Sequence, residues 1–110
     1  MSSRGPNIAP LSIRNTVRAG RHTLALTGEL DMDSASMLEE AVREVCASGS
    51  GLVIDLRKVT FMDSTGLRVL ILAGTLCEEK GHELRIIPGE DIQRTLEVSG
   101  LDRVLPFTSR

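Results

Sequence analysis

Five residues, Leu52-Val53-Ile54-Asp55-Leu56, form a nearly unbroken apolar run between turn signals. Such a run marks a strand buried on both faces, central in a sheet and parallel to a neighbour. The segments on either side carry helical periodicity. Upstream, Met37, Leu38, Ala41, Val42 and Val45 recur on one face, with Glu39, Glu40, Arg43 and Glu44 on the other. Asp33 or Ser34 is the natural cap of that helix, and Ser48-Gly49-Ser50-Gly51 ends it. Downstream, Leu67, Leu70, Ile71, Ala73, Leu76 and Cys77 define a second helix, stopped at Lys80-Gly81-His82. Its apolar coverage is the wider, which predicts the deeper burial of the two.

The remaining segments complete an alternating order. Leu11, Ile13, Asn15 and Val17 alternate with polar residues as in a half-exposed strand, and Ala19-Gly20-Arg21-His22 turns the chain into a partner at Thr23–Thr27. Residues 28–33 follow as a loop. Leu84–Ile87 predicts another strand, Pro88-Gly89 a turn, and Ile92–Val98 a third helix ending at Gly100. Residues 101–107 close the domain. Strands alternating with helices give an α/β fold: a mixed, mainly parallel sheet with an antiparallel first strand and packed helices. Right-handed crossovers bring the polar clusters 28–34 and 60–66 together at the carboxyl ends of the strands.

A chain of 110 residues holds one domain. Residues 1–10, with Ser, Gly, Asn and two Pro, are expected to be a loose N-terminal arm, leaving 11–110 as the domain. With two Phe, no Tyr and no Trp, the core must be aliphatic, and stacking on bases is not available. A net charge of −2 gives no footprint for nucleic acid or an anionic membrane. There is no apolar run of membrane-spanning length and no signal-peptide pattern, so a cytoplasmic location is expected. Cys46 and Cys77 fall in helical stretches without metal-site spacing, as reduced core thiols. His22 and His82 lie in turns with no ligand pattern nearby, and no metal or cofactor is expected.

Asp63-Ser64-Thr65-Gly66 separates the central strand from the second helix. One account is purely structural. Asp63 caps the helix, and Met62 and Leu67 sit at the two positions of a hydrophobic staple. Ser64 then becomes the first helical residue and its hydroxyl is not needed for capping. Gly66 strains this account, since glycine in a first turn costs roughly 0.5–1 kcal/mol against alanine unless something approaches the backbone closely. The other account makes Ser64 a phosphoacceptor, because the N–H groups and dipole of a first turn favour an anion. A phosphate of about −1.5 to −2 charge beside Asp63, Asp31 and Asp33 would alter who can dock there. Both accounts stay open on the residues alone.

Phe61-Met62-Asp63-Ser64-Thr65-Gly66-Leu67, preceded by the buried run, resembles the signature of bacterial anti-sigma factor antagonists of the STAS domain family. Leu26–Asp31 resembles the family's earlier loop and Gly100–Leu105 its closing segment, so the likeness spans about residues 11 to 107. The resemblance implies a single STAS-like domain that is not an enzyme. It further implies that the unphosphorylated protein binds an anti-sigma factor that is also a serine kinase, freeing a sigma factor. The kinase would phosphorylate Ser64 with ATP and break the complex, and a metal-dependent, PP2C-type serine phosphatase would restore it. Asp63 and Gly66 match family positions flanking the acceptor and Asp31 matches the neighbouring loop acid, while Thr65 and Asp33 join them as residues of the same switch surface. Met32, Phe61 and Met62 are candidates for an apolar partner contact, with core packing the plainer role for all three. Arg68 departs from the small residue expected there. It lies one helical turn after Ser64, where it could partly neutralise a phosphate or remain a solvated surface charge. The alternative within the resemblance is an anion-, nucleotide- or transport-accessory module outside sigma factor control. A hydrolase fails for want of a Gly-x-Ser-x-Gly elbow and a base, and a kinase for want of a phosphate loop.

Overall fold

A computed structural model describes residues 10–103, 105 and 106. The expected N-terminal arm, apart from Pro10, and positions 104 and 107 of the closing segment lie outside the described residues. The strands are β1 (Ser12–Arg18), β2 (Arg21–Leu30), β3 (Gly51–Met62) and β4 (Leu84–Ile87). The helices are α1 (Ala35–Ser48), α2 (Ser64–Lys80) and α3 (Gln93–Ser99), with short 3-10 turns at Glu90–Ile92 and Leu101–Arg103. The sheet runs β1-β2-β3-β4; β1 is antiparallel to β2, and the other pairs are parallel. This is the mixed α/β architecture expected, with β3 central.

The β1–β2 hairpin turns on Ala19 and Gly20, both at positive φ (54° and 76°), the backbone a tight two-residue turn needs to match strand twist. Beyond it, β2 and β3 run further than their apolar runs suggest, to Leu30 and Met62. Two register shifts explain this: each inserts one extra residue on β3, so pairing survives through a stretch whose apolar alternation is broken. The "loop" after Thr27 therefore begins three residues later, at Asp31.

The core lies on one face of the sheet. Leu24, Leu26, Ile54, Leu56 and Ile86 point into it, against Leu38 and Val42 of α1 and Leu70 and Ala73 of α2. Each Leu, Ile or Val among them contributes roughly 1.5–3 kcal/mol by leaving water. The expectation that β3 is buried on both faces needs correction. Val53 is buried but stands outside this cluster, in a hollow beside Arg18, Arg21 and Thr23. Its neighbours across the strands and the stems of arginines shield it, not a second helix layer.

Helix α2 is not more deeply buried than α1. Each buries five residues, α2 over the longer span, and Ile71 of α2 is 47% exposed. The wide apolar stripe of α2 extends past the sheet to a groove shared with Leu101 and Leu105. Where α1 meets α2, the sulfurs of Cys46 and Cys77 are 3.9 Å apart, both buried and unbridged. Burial, with Cys46 alongside, pushes the Cys77 thiol up to about 12, so it stays protonated.

Candidate functional site

Strands β2 and β3 end side by side, with Glu29 opposite Phe61 and Leu30 opposite Met62. The Asp63 N–H donates to the Leu30 carbonyl at 3.2 Å, and the Met32 N–H donates to the Asp63 carboxylate. The two polar clusters are thus neighbours, as the crossover geometry requires.

At the first corner Asp31 orders the loop. Its main-chain carbonyl accepts from the N–H groups of Ser34 (3.0 Å) and Ala35 (2.8 Å), and its carboxylate accepts from the Asp33 N–H at 3.0 Å. Ser34 holds the N-cap position of α1 but gives no side-chain cap. Its hydroxyl donates to the Glu29 carbonyl at 2.9 Å and accepts from the Asp31 N–H at 3.1 Å. Neither Asp33 nor Ser34 therefore caps α1 in the manner expected, because the Ser34 hydroxyl is turned away from the helix to close the loop. At 6% exposure, Ser34 is the buried polar residue of the domain among those described.

At the second corner the expected cap is present. The Asp63 carboxylate accepts from the N–H groups of Thr65 (2.9 Å) and Gly66 (3.4 Å), and from the Thr65 hydroxyl. Burial pushes the Asp63 carboxyl up, but the Thr65 hydroxyl and the N–H groups of Gly66, Thr65 and Met32 outweigh it. The group titrates below the ordinary carboxylate value. Gly66 has a packing reason. A Cβ there would lie 2.8 Å from Leu30 Cγ and 2.9 Å from Met62 Cγ. The close approach inferred from its presence comes from the domain's own core, with the first turn of α2 pressed onto Leu30 and Met62.

Ser64 is exposed and, among the described residues, its hydroxyl makes no hydrogen bond. Arg68 is exposed one turn along the same helix. Met62 is 4% exposed and belongs to the core, whereas Met32 (76%) and Phe61 (47%) reach solvent beside the corner. Sequence reasoning did not assign the Glu29 carbonyl and Ser34 hydroxyl as partners, and no residue-type signal separates Ser34 from Ser64. The histidines serve locally: His22 pairs with the Asn15 side chain at 3.1 Å, and His82 with the Cys46 carbonyl at 3.3 Å. Among the described residues no helix is long and apolar enough to cross a membrane.

Known proteins share both the sequence and the shape. The family model described as "Mlab, STAS domain" matches residues 15–106. The anti-sigma-F factor antagonist RsfB of Mycobacterium tuberculosis is 37% identical over 107 residues, covering 92% of this chain and 85% of that protein. The anti-sigma-B factor antagonist of Bacillus subtilis is 29% identical over 86 residues, 77% and 79% of the two chains. Among solved structures, an anti-sigma factor antagonist from Mycobacterium paratuberculosis superposes with a TM-score of 0.81 at 28% identity, covering 92% of this chain and 87% of that one.

Proposed function

Because the chain belongs to the STAS domain family, we propose that it is an anti-sigma factor antagonist switched at Ser64. In its unmodified form it binds an anti-sigma factor through the paired corners, with Met32 and Phe61 as apolar contacts and Asp31, Asp33, Asp63 and Thr65 shaping the polar rim. Binding displaces the sigma factor that the anti-sigma factor holds.

The observation that carries this reading is the Ser64 hydroxyl, exposed at the first turn of α2 and not committed to any hydrogen bond among the described residues. The partner is a serine kinase. The Ser64 oxygen attacks the γ-phosphorus of ATP bound on the kinase, its proton passes to a base there, and ADP leaves. The product carries a dianion where a hydroxyl stood, beside a carboxylate that is ionised at neutral pH. Capping by Asp63 and packing by Gly66 do not use the Ser64 hydroxyl, so the scaffold persists while the surface changes. A PP2C-type serine phosphatase reverses the step. Arg68, one turn away, partly offsets the new charge. Phosphoprotein carrying Arg68→Ala should melt lower and lose its phosphate faster than the parent phosphoprotein; equal values for both would remove Arg68 from the mechanism.

Incubation with candidate anti-sigma kinases and ATP, followed by intact mass and site mapping, tests the whole reading. One added phosphate on Ser64 is expected. Label on another residue, or capture of a transporter complex in place of an anti-sigma factor, would overturn it.

A further inference from the structure

The face of the sheet turned away from the helices carries a charge opposite to that of the whole chain. By register, Ser12, Arg14, Thr16 and Arg18 of β1 stand opposite Thr27, Ala25, Thr23 and Arg21 of β2, and Thr23 and Ala25 stand opposite Val53 and Asp55 of β3. These residues alternate with the core-facing set, and none of them belongs to the core cluster. The first register shift turns Arg57 and Lys58 onto this side as well. With Ser12, Arg14, Thr27 and Asp55 they line a hollow of about 760 Å³, and Arg18, Arg21 and Thr23 line a second of about 450 Å³ next to it.

The face therefore gathers cations along a trough roughly 20 Å long, the length of a six-residue strand. Two acids lie near these cations and are already engaged, and Glu29 follows Thr27 on the same side at the end of β2. Arg57 grips Asp55 through two nitrogens, at 3.0 and 2.8 Å, and Glu83 accepts from Arg21 at 2.7 Å and from Arg85 at 3.3 Å. The Arg57 guanidinium holds the Asp55 carboxyl below its ordinary value, so that pair stays ionised at neutral pH. Among the described residues Arg14 and Arg18 form no ion pair, and Lys58 makes none either, although its charge helps Arg57 to lower the Asp55 carboxyl. Edge strands often carry charge merely to discourage pairing with other sheets. That role does not call for one sign, yet these cations are concentrated on one face of a chain whose net charge is −2.

We propose that this trough is a second docking surface, taking an extended acidic segment of a protein partner. Carboxylates of the segment meet Arg14, Arg18 and Lys58, while the hydroxyls of Ser12, Thr16 and Thr27 offer hydrogen bonds between them. Nucleic acid fits the face less well, since its β-strand residues there offer no ring for base stacking and Asp55 sits in the middle of the hollow. The surface does not depend on Ser64, which opens a helix on the sheet's other side.

The test uses the full chain and a fluorescein-labelled peptide of about ten residues rich in Glu and Asp, read by fluorescence anisotropy at low and moderate salt. Binding is expected, weakening as salt rises. Combined Arg14→Gln, Arg18→Gln and Lys58→Gln should weaken it about tenfold. A charge-matched control on the helices, Arg43→Gln with Lys80→Gln and Arg94→Gln, should stay within about twofold. Circular dichroism melting verifies that both variants fold. Equal losses in the two variants would reduce the effect to net charge and overturn the proposal. So would the absence of peptide binding, or tighter binding to single-stranded DNA or to phosphatidylglycerol vesicles than to the peptide. No kinase is present in the assay, so its failure leaves the Ser64 reading untouched, and the reverse holds.

Discussion

Ser34 and Ser64 stand at equivalent corners, each where one of two adjacent parallel strands hands over to a helix. Ser34 is buried, and its hydroxyl joins the Glu29 carbonyl to the Asp31 N–H. Ser64 is exposed, and the aspartate before it does the capping. One serine is a structural tie and the other is spare. The difference teaches that a hydroxyl becomes available for regulation when a neighbour takes over the local structural task. Asp63 performs that task at the second corner; at the first, Ser34 does so itself.

Substitutions can break this contrast or sharpen it. The largest expected effect is on binding. Ser64→Glu should weaken the complex with an anti-sigma factor by about a hundredfold, because it places like charge in a docked interface. Ser64→Ala should stay within about twofold of the parent, and titration calorimetry of both variants checks this. Tight binding by Ser64→Glu would mean that charge does not drive release.

Next come effects on stability. Gly66→Ala should cost about 1–3 kcal/mol despite alanine's better helix propensity, because the added methyl meets Leu30 and Met62. Denaturant unfolding reads that loss, and a neutral result would mean that α2 lifts from the core without cost. Ser34→Ala takes the serine partner from the part-buried Asp31 N–H and Glu29 carbonyl and should cost about 1–2 kcal/mol. The same change at Ser64 should remain within about 0.5 kcal/mol. Equal losses at both serines would erase the distinction between the corners.

The smallest loss expected is that of the cap. Asp63→Ala should cost about 0.5–2 kcal/mol, and the loss should depend on pH. The Asp63 carboxyl titrates lower in the folded protein than in the unfolded chain. Its contribution is therefore complete above the ordinary value of 3.8 and fades as pH falls below it toward the folded value. Parent and variant stabilities should converge on acidification, and parallel curves from pH 7 to pH 2 would show that the carboxylate's charge is irrelevant.

Much of this was legible in the residues. The Asp63 cap, the bounds of β4, the glycines that end α2 and α3, and the meeting of the two polar clusters all follow from local chemistry and crossover geometry. What was not legible depends on partners distant in the chain. Nothing in the sequence says that β3 carries two extra residues relative to β2, because a bulge is a property of a pair of strands. Val53, set within an apolar run, promised a second covering layer, and arginine stems and neighbouring strands shield it instead. Ser34 and Ser64 are the same residue type in similar acidic surroundings, and only the path of the chain past Glu29 separates them. Gly66 signals a close contact in its residue type alone, but the identity of that contact depends on Leu30 lying beneath it.

The adjoining sulfurs of Cys46 and Cys77 give the domain a built-in gauge of its own breathing. Shielded by burial, neither thiol can react while α1 and α2 stay closed together, so the pace at which a maleimide or a disulfide reagent consumes them counts how often that seam parts. Because each helix springs from one of the two corners, comparing that pace before and after modification of Ser64 would register any loosening transmitted inward from the surface.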